Sequence, residues 1–251
     1  MGSEQRYIAS VWDRTTRIFH WVNFLSILTL MILGTIILNG KTLGVSGDAK
    51  ILLKVLHVSA GYVFAINLIW RIVWGFVGRA SARWKSILPF RKGYGSELKA
   101  FVEGEKSGNT ISYAGHNPLA KLVITLLLIV CITQMVTGLV IAGTDIYYPP
   151  FGSMIAEWVA ASGVDPMTLI PGDKSMLDPA AYKEMRGFRS PYIQTHVYGF
   201  YTLLAFIFIH IAAVVLHEAR HSDGVISAMF SGKKLLKSKP VDESSVLDND
   251  S

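Results

Sequence analysis

His196-Val-Tyr-Gly-Phe-Tyr-Thr-Leu-Leu-Ala-Phe-Ile-Phe-Ile-His210 is a predominantly apolar run bounded by two histidines fourteen positions apart. Fourteen residues make about four helical turns, so the two imidazoles project from nearly the same helix face at depths roughly 21 Å apart. Ionisable side chains within a membrane segment are costly and usually face a cofactor, a cavity or a partner. Two other apolar stretches carry one histidine each, His20 and His57.

Of the 251 residues, 51% are hydrophobic and only 17% charged, and the apolar residues cluster in runs instead of recurring along an amphipathic period. That pattern points away from a soluble domain. Four runs, near 18–38, 52–77, 119–143 and 192–216, reach the roughly 20 residues needed to cross a hydrocarbon core of about 30 Å. The first has no small-residue cleavage site after it and holds His20 and Trp21, so it is expected to be retained and not removed as a signal peptide. The expectation is an all-α integral membrane domain over 1–235 with four transmembrane helices, followed by a disordered polar tail, 236–251. Cys131, the single cysteine, falls mid-way along the third run; it has no intrachain disulfide partner and reads as a small buried hydrophobe.

The net charge of +6 is distributed as in a membrane protein and does not call for nucleic acid. Fifteen Lys and Arg residues lie before the first run, between the second and third, and after the fourth, against six in the other two connections. The positive-inside rule then places both termini and the 78–118 loop in the cytoplasm. The connection 39–51 is short and carries Asn-Gly and Ser-Gly-Asp turn signals. The inner loop holds an amphipathic candidate around 96–105. The outer connection 144–191 is far longer than an ordinary connector and includes a candidate helix near 153–161. Loops of this length are functional or disordered; Met154, Trp158 and Met167 point to packing or docking.

With this topology the first helix runs outward and the fourth inward, so the four histidines match in depth as two pairs. His57 and His196 lie near the outer face, His20 and His210 near the cytoplasmic face. The alternative for any single histidine is an interface residue satisfied by a neighbouring helix. For four matched in depth, axial ligation of two haem irons is the better account, because neutral imidazole is a good iron ligand and two imidazoles fill both axial positions. A six-coordinate haem leaves no site for substrate, so the implied chemistry is single-electron transfer. Gly61 and Gly199 follow His57 and His196 by four and three positions and are candidates for letting a flat macrocycle approach the backbone, against ordinary close helix packing. Arg17 and Arg71, near the cytoplasmic helix ends, are candidate partners for haem propionates, against snorkelling to lipid headgroups.

His217-Glu218-Ala-Arg-His221 fits the H-E-x-x-H pattern of zinc proteases, with both histidines on one helix face. An intramembrane metalloprotease is therefore an alternative, weakened by the lack of an obvious third ligand; a non-redox membrane anchor is another. His217 also follows His210 by seven residues, which leaves a role at the inner haem or in proton exchange. His116, in Gly-His-Asn-Pro, precedes a helix-start signal at Asn117-Pro118 and is an interface residue or a proton-handling group.

Several motifs together resemble the bacterial cytochrome b561 superfamily, which includes the b-type subunits of nickel-iron hydrogenases and the gamma subunits of formate dehydrogenases. They are Val11-Trp-Asp-Arg-Thr-Thr-Arg-Ile-Phe-His20-Trp21, His57-Val-Ser-Ala-Gly61, Arg71-Ile-Val-Trp-Gly-Phe-Val-Gly78, Gly115-His-Asn-Pro118, the His196 to His210 spacing, and Asp223-Gly-Val-Ile-Ser-Ala-Met-Phe-Ser-Gly232. The resemblance covers roughly 10–235. It implies a four-helix bundle in the bacterial inner membrane holding two b haems on His20, His57, His196 and His210. It also implies electron exchange with the quinone pool near the cytoplasmic haem, and with a periplasmic redox partner such as a hydrogenase, a reductase or a c-type cytochrome. Asn117 lies where relatives have a quinone-contacting polar residue. The sequence departs from the hydrogenase branch at Leu33-Gly34, where that branch has Thr-Gly, and in the length of its outer loop.

Overall fold

The structure, a computed structural model, describes residues 7–246. In chain order the elements are β1 (Tyr7–Ser10), α1 (Arg14–Leu38), α2 (Gly47–Val77), α3 (Trp84–Ile87), α4 (Tyr94–Ser107), α5 (Pro118–Ile146), α6 (Gly152–Val159), α7 (Pro179–His221), α8 (Val225–Ser231), β2 (Lys233–Leu236) and α9 (Glu243–Val246). Four of these, α1, α2, α5 and α7, are long and apolar enough to cross a membrane. Their exposed surface is rich in Leu, Ile, Val and Phe, which suits a lipid environment that asks only that backbone polar groups be bonded internally.

Side-chain caps set all four starts. Asp13 Oδ1 accepts from the Thr16 amide at 2.6 Å ahead of α1. Ser46 Oγ accepts from the Ala49 amide at 3.3 Å ahead of α2. Asn117 Oδ1 accepts from Ala120 N at 2.8 Å with Pro118 opening α5, and Asp178 Oδ1 accepts from Ala181 N at 2.8 Å with Pro179 opening α7. Each pairs a side-chain acceptor with orphan first-turn amides, and proline fits where no donor is needed.

The chain divides into two compact units. One comprises 22–67 and 130–203. Its connection between α5 and α7 is folded: Ile155 and Val159 of α6 bury against Leu177 and Met185, with Tyr147, Leu169 and Tyr182 around them. Asp145, at the end of α5, binds both Lys54 of α2 (2.6 Å) and Arg189 of α7 (2.8 Å). The expected helix near 153–161 is α6. The expected start of the last helix near 192 is not observed, because α7 begins at Pro179 and runs through Pro191. That proline costs only the amide that would bond the Gly187 carbonyl, while the Asp178–Pro179 cap and the burial of Met185 hold the added turns.

The other unit comprises residues 1–21, 68–129 and 204–251, of which 7–246 bound what is described. Its core gathers Ala9, Val11, Trp12, Ala114, Ala228 and Leu236, closed by antiparallel pairing of β1 with β2 in the register Tyr7↔Leu236 to Ser10↔Lys233. Residues 236–246 of the expected disordered tail are described. Leu236 is buried, and the Asp242 carboxylate accepts from the amides of Ala114 (2.7 Å) and Gly115 (2.9 Å), charge-assisted bonds that composition alone does not show. Residues 247–251 of that expected tail lie outside the described residues. The amphipathic candidate at 96–105 is α4.

Candidate functional site

The rings of His57 of α2 and His196 of α7 come together, with centres 6.3 Å apart and planes at 76°. Two metal–nitrogen bonds of roughly 2 Å, with about 1 Å from each nitrogen to its ring centre, put two imidazoles on one iron about 6 Å apart. The pair therefore fits axial ligation of a single haem. Behind each ring stands a glycine of the preceding long apolar helix. A Cβ at Gly34 of α1 would lie 3.3 Å from His57 Cε1, and one at Gly138 of α5 would lie 3.3 Å from His196 Cε1. The same contact is thus made in both helix hairpins, and in each the absent side chain sets how far the imidazole backs onto its neighbour.

Thr137 fixes which nitrogen of His196 is free. Its hydroxyl donates to the Thr133 carbonyl at 2.7 Å, and the same oxygen lies 2.9 Å from His196 Nδ1. With its proton committed to the carbonyl, the hydroxyl accepts from Nδ1–H, which leaves the lone pair on Nε2 for a metal. Gln134 adds a second tie, donating from Nε2 to the His196 carbonyl at 3.0 Å. The His57 Nδ1 is buried, with the Leu30 carbonyl near it but no well-formed hydrogen bond. Gly34, Gly138, Thr137 and Gln134 are the residues that sequence reasoning missed. For the last two the available signal was a polar pair within an otherwise apolar run.

The second pair is His20 with His210, the latter near enough for its charge to reach His20. His20 Nδ1 is buried without a partner, and Trp21 stands edge-on to the ring at 5.4 Å. Arg71 is only 5% exposed; its guanidinium donates to the Ala82 carbonyl at 3.1 Å and lies over the Phe19 and Trp84 rings, while Nη1 is buried and unpartnered. Asp13 is the acid whose charge reaches it. Arg17 donates to the Phe230 carbonyl, and its Nε is likewise buried without a partner. Buried guanidinium nitrogens without acceptors are expensive, and the paired carboxylates of a haem edge suit them.

The remaining sequence candidates have other placements. A Cβ at Gly199 would collide with the Gln134 side chain, so this glycine serves the packing that holds His196. Gly61 has only Leu30 Cδ2 nearby, at 4.0 Å. Asn117 spends its side-chain oxygen on the α5 cap. The rings of His217 and His221 lie 4.5 Å apart, but the H-E-x-x-H residues have separate partners: His217 Nε2 pairs with Asp223 at 2.9 Å, His221 Nε2 with Glu105 at 3.3 Å, and both Glu218 oxygens accept amides of Gly224 and Val225. Glu218 is thereby the cap of α8, and among the described residues no cluster of three His, Cys, Asp or Glu is placed to hold a metal.

Outside the spans, the His116 ring packs at a tilt against Trp12, with centres 4.7 Å apart. It keeps some accessible surface yet sits deep among side chains, and desolvation, aided by the charges of Lys234 and Arg71, pushes its pKa down to about 3. It is neutral across the physiological range. Burial also lowers Lys234 to about 8, against the opposing pull of Asp223 and Asp242. Burial raises the Asp223 carboxyl, but its bond to His217 and the charges of His217 and Lys234 outweigh that and leave it below its usual value.

The sequence matches the family described as prokaryotic cytochrome b561 over residues 11–232. The chain belongs to that family. A cytochrome of b type holds haem b, and the cytochrome's four spans make it a multi-pass membrane protein. Among its relatives are proteins called probable Ni/Fe-hydrogenase B-type cytochrome subunit. That of Rhizobium leguminosarum bv. viciae is 27% identical, covering 94% of this chain and 92% of that protein. That of Rhodobacter capsulatus is 27% identical over 90% and 81%. The one described for hydrogenase 1 of Escherichia coli K12 is 26% identical over 88% and 88%. No solved structure matches the cytochrome.

Proposed function

We propose that the chain is a diheme electron-transfer subunit of the bacterial inner membrane, linking the quinone pool to a periplasmic redox protein of the hydrogenase type. The observation that carries this reading is the His57–His196 pair, whose ring separation of 6.3 Å suits two axial ligands on one iron. The relatives' descriptions support the hydrogenase as the partner class. In this reading His57 and His196 hold an outer haem and His20 and His210 an inner one, with both termini cytoplasmic as the Lys and Arg distribution requires. Bis-imidazole haem supplies reversible one-electron chemistry with no open coordination position.

The chain's own residues do the rest. Thr137 holds the Nδ1–H of His196 and keeps Nε2 available. Gly34 and Gly138 set the stand-off of the two rings. Arg71 and Arg17 offer buried cationic nitrogens to the carboxylates of the inner haem. Quinone reduction takes two electrons and two protons, and in this reading the proton side of that balance falls to groups on the cytoplasmic side, the His217–Asp223 pair foremost among them.

The test is a dithionite-reduced minus oxidised optical spectrum of the purified protein with haem counted per chain. Two low-spin b haems per chain are expected. One haem per chain would leave only one of the two histidine pairs as a haem site, and none would overturn the reading.

A further inference from the structure

α6 has three sides and not two. At about 100° per residue, Gly152, Ile155, Ala156 and Val159 fall on one side and are buried. Ser153 and Glu157 fall on a second and are exposed. Phe151, at the N-cap, Met154 and Trp158 share the third, and they too are exposed, Met154 at 62% and Trp158 at 39%. A helix serving only as a cover over water would carry polar residues on both free sides.

The apolar side does not end at the helix. Trp158 packs edge-to-face on Phe188 at 6.0 Å, and Phe188 packs on Tyr192 at 5.2 Å. Both belong to α7, so the patch runs without a break into the exposed apolar surface of a membrane-spanning helix. Tryptophan and tyrosine concentrate where a membrane protein passes from hydrocarbon to water, because their rings are apolar and their N–H and O–H groups are not. A short amphipathic helix with one aromatic edge lies well in that zone, its apolar side set a few ångströms below the headgroups.

We propose that α6 rests in the membrane–water interface, with Phe151, Met154 and Trp158 among lipid headgroups and upper acyl chains and Ser153 and Glu157 toward water. The occupant of this face is lipid, and the continuity with the α7 surface decides it over a protein partner. The helix thereby tethers the long connection between α5 and α7 at the membrane surface. The inference rests only on α7 crossing the membrane and is independent of haem number and partner.

The test uses the full-length haem-loaded protein in proteoliposomes without any partner, in a Cys131→Ala background. A nitroxide is attached at Met154→Cys or, separately, at the adjacent Ser153→Cys, both exposed positions where folding is not at stake. Collision with oxygen, which partitions into lipid, is compared with collision with a water-soluble nickel chelate. The ratio of oxygen to chelate accessibility is expected to be several-fold higher at 154 than at 153. Equal chelate access at both positions would overturn the proposal and leave the face to water or a protein. Protection of both would also overturn it, since α6 would then be enclosed. Protection at 154 that vanishes when the protein is diluted in lipid would assign the face to a second copy of the chain.

Discussion

A single hydroxyl shows how finely an imidazole can be set. Thr137 donates to Thr133 and so has only an acceptor to offer His196, and ligand histidines held in this way gain basicity as well as a fixed tautomer. Replacing Thr137 by Val keeps the volume but leaves the buried Nδ1–H unpaired, a loss of about 1–3 kcal/mol. The expected outcome is a haem affinity at the His57–His196 site weakened about 10–100-fold, with a raised midpoint potential because the ligand donates less electron density. Thr137→Ser should restore both. Haem retention in a chelating chase and a redox titration measure the two effects; a Val variant with unchanged potential would show that the threonine only packs. The four histidines were legible in the sequence because charge-bearing residues in apolar runs stand out. Thr137 and the two backing glycines were not, because what they do depends on which helix lies opposite.

Short elements in the unit that holds His20 and His210 were the least legible, and for a physical reason. β1 and β2 are four residues each and pair across more than two hundred positions, so neither carries enough period to read alone. Their pairing explains why Lys234 is buried: its ammonium donates to the Gly115 carbonyl at 2.8 Å over the Trp12 ring. In the fold its pKa falls to about 8, well below the ordinary lysine value. Below pH 8 the lysine is charged in both folded and unfolded chains and the burial penalty is felt in full. Between about 8 and 10.5 the unfolded chain binds a proton that the folded chain does not, so stability rises with pH through that window, by on the order of 3 kcal/mol. Unfolding midpoints at pH 7.5 and 9.5 should therefore shift in favour of the wild type relative to Lys234→Met. A constant offset between the two proteins would mean that Lys234 does not change its charge on folding. The H-E-x-x-H residues teach the converse lesson: five positions in one turn satisfied a motif, while Glu218 was committed to the start of α8.

At the scale of the molecule, each compact unit contains one histidine pair and one core of its own. The unit with His57 and His196 has the Ile155–Met185 core, and the unit with His20 and His210 has the Trp12–Leu236 core. The four spans were visible in composition, since crossing a bilayer fixes length and polarity together. The folded connection and the contacts of the 236–246 segment were not, since both depend on distant residues, Met185 in one case and Ala114 and Gly115 in the other. Separate cores predict separable sites. His210→Ala removes one ligand from the unit holding His20, and it should lower haem content by about half, with electron uptake from a quinol abolished and the other haem's spectrum unchanged. His57→Ala should give the complementary loss, with reduction of the remaining haem by added quinol retained. If either substitution instead empties both sites, the two pairs are not independent, and the assignment of His57 to His196 and His20 to His210 fails with them. The paired variants are needed because a globally unstable protein would lose both haems in each. Retention of one spectrally distinct haem in each variant is the outcome that instability cannot produce.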